Sequence, residues 1–89
     1  MSGLKIRVTG KVQGVFFRDY TKKKANQLGI KGTVKNKEDG SVEIIADENE
    51  NIQKFIDWCW EGSPASRVDN VEISQIELPE KFNSFEVLL

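Results

Sequence analysis

The sequence contains no histidine and a single cysteine, Cys59. The missing histidine removes imidazole general bases, Ser-His and Cys-His nucleophile pairs, and zinc sites of the usual His/Cys type. A lone cysteine excludes an intrachain disulfide, in keeping with a reducing compartment. No apolar run approaches the roughly 20 residues needed to span a bilayer, and Met1-Ser2-Gly3-Leu4-Lys5 lacks the apolar stretch of a secretory signal. These features predict a cytoplasmic protein with no membrane partner. Any catalysis falls to carboxylates, amides, guanidinium groups, hydroxyls or the backbone.

What is present suits one domain spanning residues 1–89, with 38% hydrophobic and 30% charged residues, an ordinary globular balance. The net charge of −1 is unevenly spread. Residues 1–24 carry seven basic side chains against Asp19 alone, a net of +6, and the remainder of the chain carries −7. A basic quarter on an acidic body suits a small anionic ligand better than a nucleic-acid backbone. Within it, Lys22, Lys23 and Lys24 read as a solvated helix face.

Hydrophobic spacing orders the elements. Lys5 to Thr9 alternates, with Leu4, Ile6 and Val8 on one face of a half-buried strand. A loop from Gly10 to Val15 follows. Phe17, Tyr20, Thr21, Lys24, Ala25 and Leu28 then recur at helical spacing, with Gly29 placed for a left-handed C-cap. Val34 and Asn36 share one parity of a second strand, Asp39-Gly40 marks a hairpin turn, and Ser41 to Ala46 is the return strand. Asp47 to Asn51 offers N-cap chemistry to a second helix striped by Ile52, Phe55, Ile56 and Cys59 and stopped by Gly62-Ser63-Pro64. The parity of Val71 and Ile73 differs from that of Ile76 and Leu78, which predicts a bulge in the fourth strand. Phe85, Val87 and Leu89 form a terminal strand. Such an order predicts an α+β, ferredoxin-like split β-α-β fold: a mainly antiparallel sheet of four to five strands with two helices on one face.

The chemistry concentrates in Gly10-Lys11-Val12-Gln13-Gly14-Val15. A strand-to-helix junction gathers unpaired backbone N–H groups at the positive end of a helix dipole, which favours anions. Its glycines let the chain curl around a ligand. None of residues 10–17 is a usual N-cap, so these donors are free either for a phosphate or for water. Arg18 lies within about one helical turn, where its fork could hold an anion bidentately although it opposes the dipole.

Gly10-Lys11-Val12-Gln13-Gly14-Val15-Phe16-Phe17-Arg18 resembles the signature of the acylphosphatase family. Gly32-Thr33-Val34-Lys35-Asn36 with Asp39-Gly40-Ser41-Val42, and Gly62-Ser63-Pro64-Ala65-Ser66-Arg67-Val68, are similar to two further family motifs, and the likeness runs from about Lys5 to Leu89. The resemblance implies an acid anhydride hydrolase that converts an acyl phosphate and water to a carboxylate and phosphate. It implies that Arg18 and the backbone of Lys11, Val12, Gln13, Gly14 and Val15 hold the phosphate, and that Asn36 positions the attacking water. Acetyl phosphate, carbamoyl phosphate and 1,3-bisphosphoglycerate belong to the family's substrate class. Two departures stand out: Thr33 replaces a common Trp, and Asp47-Glu48-Asn49 replaces a glycine-containing turn.

The reaction suits this limited set of groups. A carboxylate whose conjugate acid has a pKa of about 4 to 5 leaves without protonation, and phosphoryl transfer depends mainly on positioning and charge stabilisation. The expectation is therefore direct in-line attack by water in a monomer, with no metal or other cofactor. Two alternatives compete with it: a ferredoxin-like RNA-binding module, and an accessory domain handling carbamoyl phosphate. Lys5, Arg7 and Thr9, the outward set of the first strand, include no aromatic on which an RNA base could stack.

Overall fold

The computed structural model describes residues 1–89. In chain order the elements are β1 (Ser2–Lys11), α1 (Phe17–Leu28), β2 (Gly32–Asn36), β3 (Val42–Asp47), α2 (Ile52–Glu61), β4 (Arg67–Glu77) and β5 (Phe85–Val87). The five strands form one sheet in the order β4-β1-β3-β2-β5, antiparallel except for the parallel pair β2 and β5. This is the expected ferredoxin-like arrangement. No helix is long and apolar enough to cross a membrane.

Alternation along the strands sends Ile6, Val8, Val34, Val42, Ile44 and Ala46 to one face, where they are buried against Phe17 and Ala25 of α1 and Phe55 and Cys59 of α2. Phe17, Phe55 and Phe85 are essentially solvent-free, and burying each such side chain contributes roughly 1.5–3 kcal/mol. Burial pushes the Cys59 thiol up to about 12, so it is a small core residue rather than a nucleophile. Of the neighbouring tryptophans, Trp58 packs 5.4 Å from Phe17 between ring centroids, whereas Trp60 is half exposed. Tyr20, expected on the apolar stripe of α1, is 39% exposed.

Local departures from the sequence pattern have identifiable causes. β1 runs on to Lys11, beyond Thr9, because Gly10 and Lys11 continue to pair with Val68 and Arg67 of β4. The irregularity in that ladder falls at Thr9/Gly10, leaving Asp69 as the extra residue on β4, and pairing through Ile73, Ser74, Gln75 and Ile76 is unbroken. The bulge expected between Ile73 and Ile76 is therefore at the opposite end of the strand. Ile73 is simply a core-side residue at an edge, 44% exposed, and Leu78 is buried after the strand has ended. β5 stops at Val87, and Leu89 is fully exposed.

Helix ends are served across the chain rather than locally. Gly29 caps α1 in the left-handed conformation (φ 72°). Asn51 is the N-cap of α2 but makes no side-chain cap bond there. Its amide donates instead to Leu28 O (3.0 Å), and Asn49 donates to Gly29 O (3.0 Å). The side chains of the segment that starts α2 thus finish α1, satisfying carbonyls at its C-terminus.

Candidate active site

Topology brings the two motif segments to one end of the sheet. β1 and β2 both flank β3 in antiparallel fashion, so they run parallel to each other and end on the same side. Val8, Val42 and Asn36 occupy one row across the three strands. Val8 and Val42 are buried beneath the helices, so Asn36 projects to that same face, just beyond the core.

The loop from Val12 to Phe16 is held from below. Val12 and Val15 are buried members of the core cluster. Ser63, from the segment that stops α2, donates its hydroxyl to Val15 O at 2.9 Å. Gln13 spends both amide hydrogens on the β2–β3 hairpin, donating to Lys37 O (2.7 Å) and Ser41 O (2.8 Å). With the carbonyl side and the side chains anchored, none of the N–H groups of Val12 to Phe16 donates to a backbone carbonyl. The first bond into α1 is Tyr20 N–H to Phe16 O at 3.1 Å. Gly10 and Gly14 serve different purposes here. A Cβ at Gly10 (φ 123°) would lie 2.2 Å from Arg67 O, whereas Gly14 (φ 74°) has open space around it and is required only for its backbone angle.

The helix begins without a side-chain cap. Its N-cap residue, Phe16, has φ 59° and ψ 22°, the left-handed region, although an N-cap normally sits in the β region. It is the one residue other than glycine with positive φ, a conformation that costs an L-residue about 1–2 kcal/mol. The start of α1 borders a cavity of about 370 Å³ lined by Val12, Gly14, Phe16, Phe17, Arg18, Asp19 and Asn36. An anion there meets open donors and the positive end of the helix dipole.

Arg18 reaches the cavity from the first turn of α1. One Nη1–H donates to Leu88 O at 3.0 Å, and Leu88 N–H in turn donates to Val34 O at 2.8 Å. The guanidinium is thereby tied, through the segment after β5, to the strand that carries Asn36. It makes no ion pair, unlike Arg7, which binds Asp39 and Glu72, and Arg67, which binds Asp69. Four of its five N–H donors remain available. Asn36 is the only residue with a buried side-chain polar atom lacking any partner, its Oδ1. Such an atom carries a desolvation cost of about 1–3 kcal/mol unless something donates to it.

The expected site residues therefore divide. Arg18, Asn36, Val12 and Gly14 line one cavity; Lys11, Gln13 and Val15 do not line it. Lys11 is the exposed last residue of β1, Val15 an anchor in the core, and Gln13 a brace to the hairpin. Phe16, Asp19, Ser63 and the side-chain role of Gln13 were not singled out from the sequence. Only Phe16 left a signal there: the helical stripe uses Phe17, so an adjacent second phenylalanine is surplus to packing.

Comparison with known proteins gives one consistent result. The family model described as Acylphosphatase matches residues 4–87. An acylphosphatase of Shewanella amazonensis is 48% identical over 83 residues, covering 92% of this chain and 91% of that protein. The crystal structure of acylphosphatase from Bacillus subtilis superposes with a TM-score of 0.92 at 36% identity, with 100% of both chains covered. The same fold matches 12% of the much longer HypF of T. kodakarensis, with a TM-score of 0.89, 30% identity and 99% of this chain covered.

Proposed function

The chain belongs to the acylphosphatase family and hydrolyses acyl phosphates, and we propose that it does so by direct in-line attack of water, with Arg18 and the loop holding the phosphate and Asn36 aiming the water. The observation that carries this reading is that Asn36 and an Arg18 with no carboxylate partner line one cavity. A neutral amide there can accept a hydrogen bond from water and donate to a phosphate oxygen at once. Asn36 thus fixes nucleophile and electrophile relative to each other, the positioning that phosphoryl transfer chiefly demands.

The phosphoryl oxygens sit on backbone N–H groups of the loop, those of Val12 and Gly14 among them, with the Arg18 fork across them. As the P–O bond to the acyl group lengthens, charge spreads over these oxygens and fixed donors stabilise it without reorganisation. The water oxygen bonds to phosphorus, and the old bond's electron pair leaves on the carboxylate. Both protons of the water remain on the product, so a dianionic acyl phosphate yields carboxylate and dihydrogen phosphate. The carboxylate leaves unprotonated, so the scheme needs no general acid, metal or covalent phosphoenzyme. None of the residues of the loop, 12–16, is a Ser, Cys, His or Asp that could be phosphorylated. A monomer of one domain in the cytoplasm, acting on a small molecule rather than nucleic acid or membrane, completes the proposal. It draws on the single core and the lone buried Cys59.

Hydrolysis of benzoyl phosphate in excess chelator tests the scheme. Asn36→Ala is expected to lower kcat about a hundredfold or more while competitive inhibition by inorganic phosphate is retained. Normal turnover by this variant would remove Asn36 from the mechanism, and a phosphorylated protein trapped from labelled substrate would replace direct attack with a two-step route.

A further inference from the structure

Phe16 combines two unfavourable features that the fold's packing does not explain. It holds a positive φ of 59° as a bulky residue, and its side chain is 73% exposed. Phe17 supplies the core contact of the pair, being buried against Trp58, so α1 gains no packing from Phe16. Nevertheless Phe16 lines the cavity that holds Arg18 and Asn36. Its left-handed backbone places an apolar ring at the mouth of a site whose other named functional groups are polar.

In an in-line displacement the leaving oxygen departs opposite the attacking one. With water on Asn36, at the hairpin side, the acyl group emerges toward the start of α1. The exposed cavity-lining side chains there are Phe16 and Asp19. Asp19 disfavours a negatively charged acyl group, and Phe16 offers a flat apolar face. Resting on the assignment of Arg18 and Asn36 above, we infer that Phe16 is the residue that contacts the acyl group, and that it biases the enzyme toward acyl phosphates with planar, apolar acyl parts over acetyl phosphate. Laying two ring faces together removes on the order of 50 Å² of apolar surface from water, worth about a factor of ten in kcat/KM.

The test compares benzoyl phosphate with acetyl phosphate for the wild type, Phe16→Gly and Phe16→Tyr, with inhibition by inorganic phosphate measured in parallel. Glycine accepts positive φ, so Phe16→Gly keeps the turn and adds no group that could cap the helix. The intrinsic reactivities of the two substrates are common to all three proteins and cancel when ratios are compared. The benzoyl-to-acetyl ratio of kcat/KM is expected to fall about tenfold in Phe16→Gly, with phosphate still inhibiting, and Phe16→Tyr should keep the wild-type ratio. An unchanged ratio in an active protein would overturn the acyl contact. Equal loss on both substrates together with loss of phosphate inhibition would also overturn it, by showing that Phe16 only shapes the loop. A wild type inactive on both substrates would instead refute the reading of the site on which the contact rests.

Discussion

The open face of the sheet and the loop end of the molecule treat charge in opposite ways. On the open face, Arg7 lies 2.9 Å from Asp39 and 2.8 Å from Glu72, and Lys5, Lys35 and Lys37 surround Glu43. Hydrogen bonds to Asp39 and then Glu72 raise the Arg7 guanidinium further, while the Ser41 hydroxyl and then Arg7 hold the Asp39 carboxyl well below the usual carboxylate range. At the loop end, Arg18 has one backbone carbonyl and Asn36 Oδ1 has nothing. The first set stands mostly within strands, the second at a helix start and a strand end. The chemical difference lies in satisfaction: these open-face charges are paired with one another, whereas Arg18 has no carboxylate partner and Asn36 Oδ1 has no hydrogen-bond partner.

The largest expected effect contrasts two arginines. Arg18→Ala should lower kcat/KM for benzoyl phosphate by about a thousandfold, in the range for removing a key donor to transition-state charge, and should abolish inhibition by phosphate. Arg7→Ala, on the paired face, should leave both within about twofold. Steady-state kinetics on the two variants decide the matter, and comparable losses would erase the distinction between the regions.

A smaller effect is expected at the brace between loop and hairpin. Gln13→Leu removes one of the two donors on each of the Lys37 and Ser41 carbonyls, lowering stability by about 0.5–1.5 kcal/mol in urea denaturation. Because Gln13 sets the loop against the strand carrying Asn36, kcat should fall about tenfold with phosphate inhibition little changed. A loss of stability with kcat intact would reduce Gln13 to a structural residue.

The smallest effect belongs to the open face and depends on pH. The folded-state pKa of Asp39 lies below its unfolded value of about 3.9, so its contribution to stability is complete above about pH 4 and is lost as pH falls through the folded value. The urea midpoint of Asp39→Asn should therefore decline less steeply than that of the wild type below pH 4. Parallel curves would mean that these exposed contacts carry no measurable stability, as is common for surface pairs.

The element order and the core face were legible because alternation and helical spacing report burial directly: Ile6, Val8, Val34, Val42 and Ile44 are where the pattern puts them. The cavity pairing of Arg18 with Asn36 was anticipated from the motif and from strand parity. The end of β1, the position of the bulge and the cross-helix caps of Asn49 and Asn51 were not legible, since each depends on which neighbour a backbone group meets after folding.

The sequence by itself determined which side chains could be buried, that catalysis would use neither histidine nor a disulfide, and where a curled, glycine-bearing junction precedes an arginine. These follow from composition and short-range periodicity. Tertiary structure alone decided that Gln13 braces the hairpin, that Ser63 holds the loop from beneath, that Leu88 steers Arg18 and that Asn36 Oδ1 is left without a partner. Each of these joins residues at least 24 positions apart, or records a partner that the packed chain fails to supply. Hydrogen-bond satisfaction is a property of the assembled neighbourhood, and no local pattern encodes it.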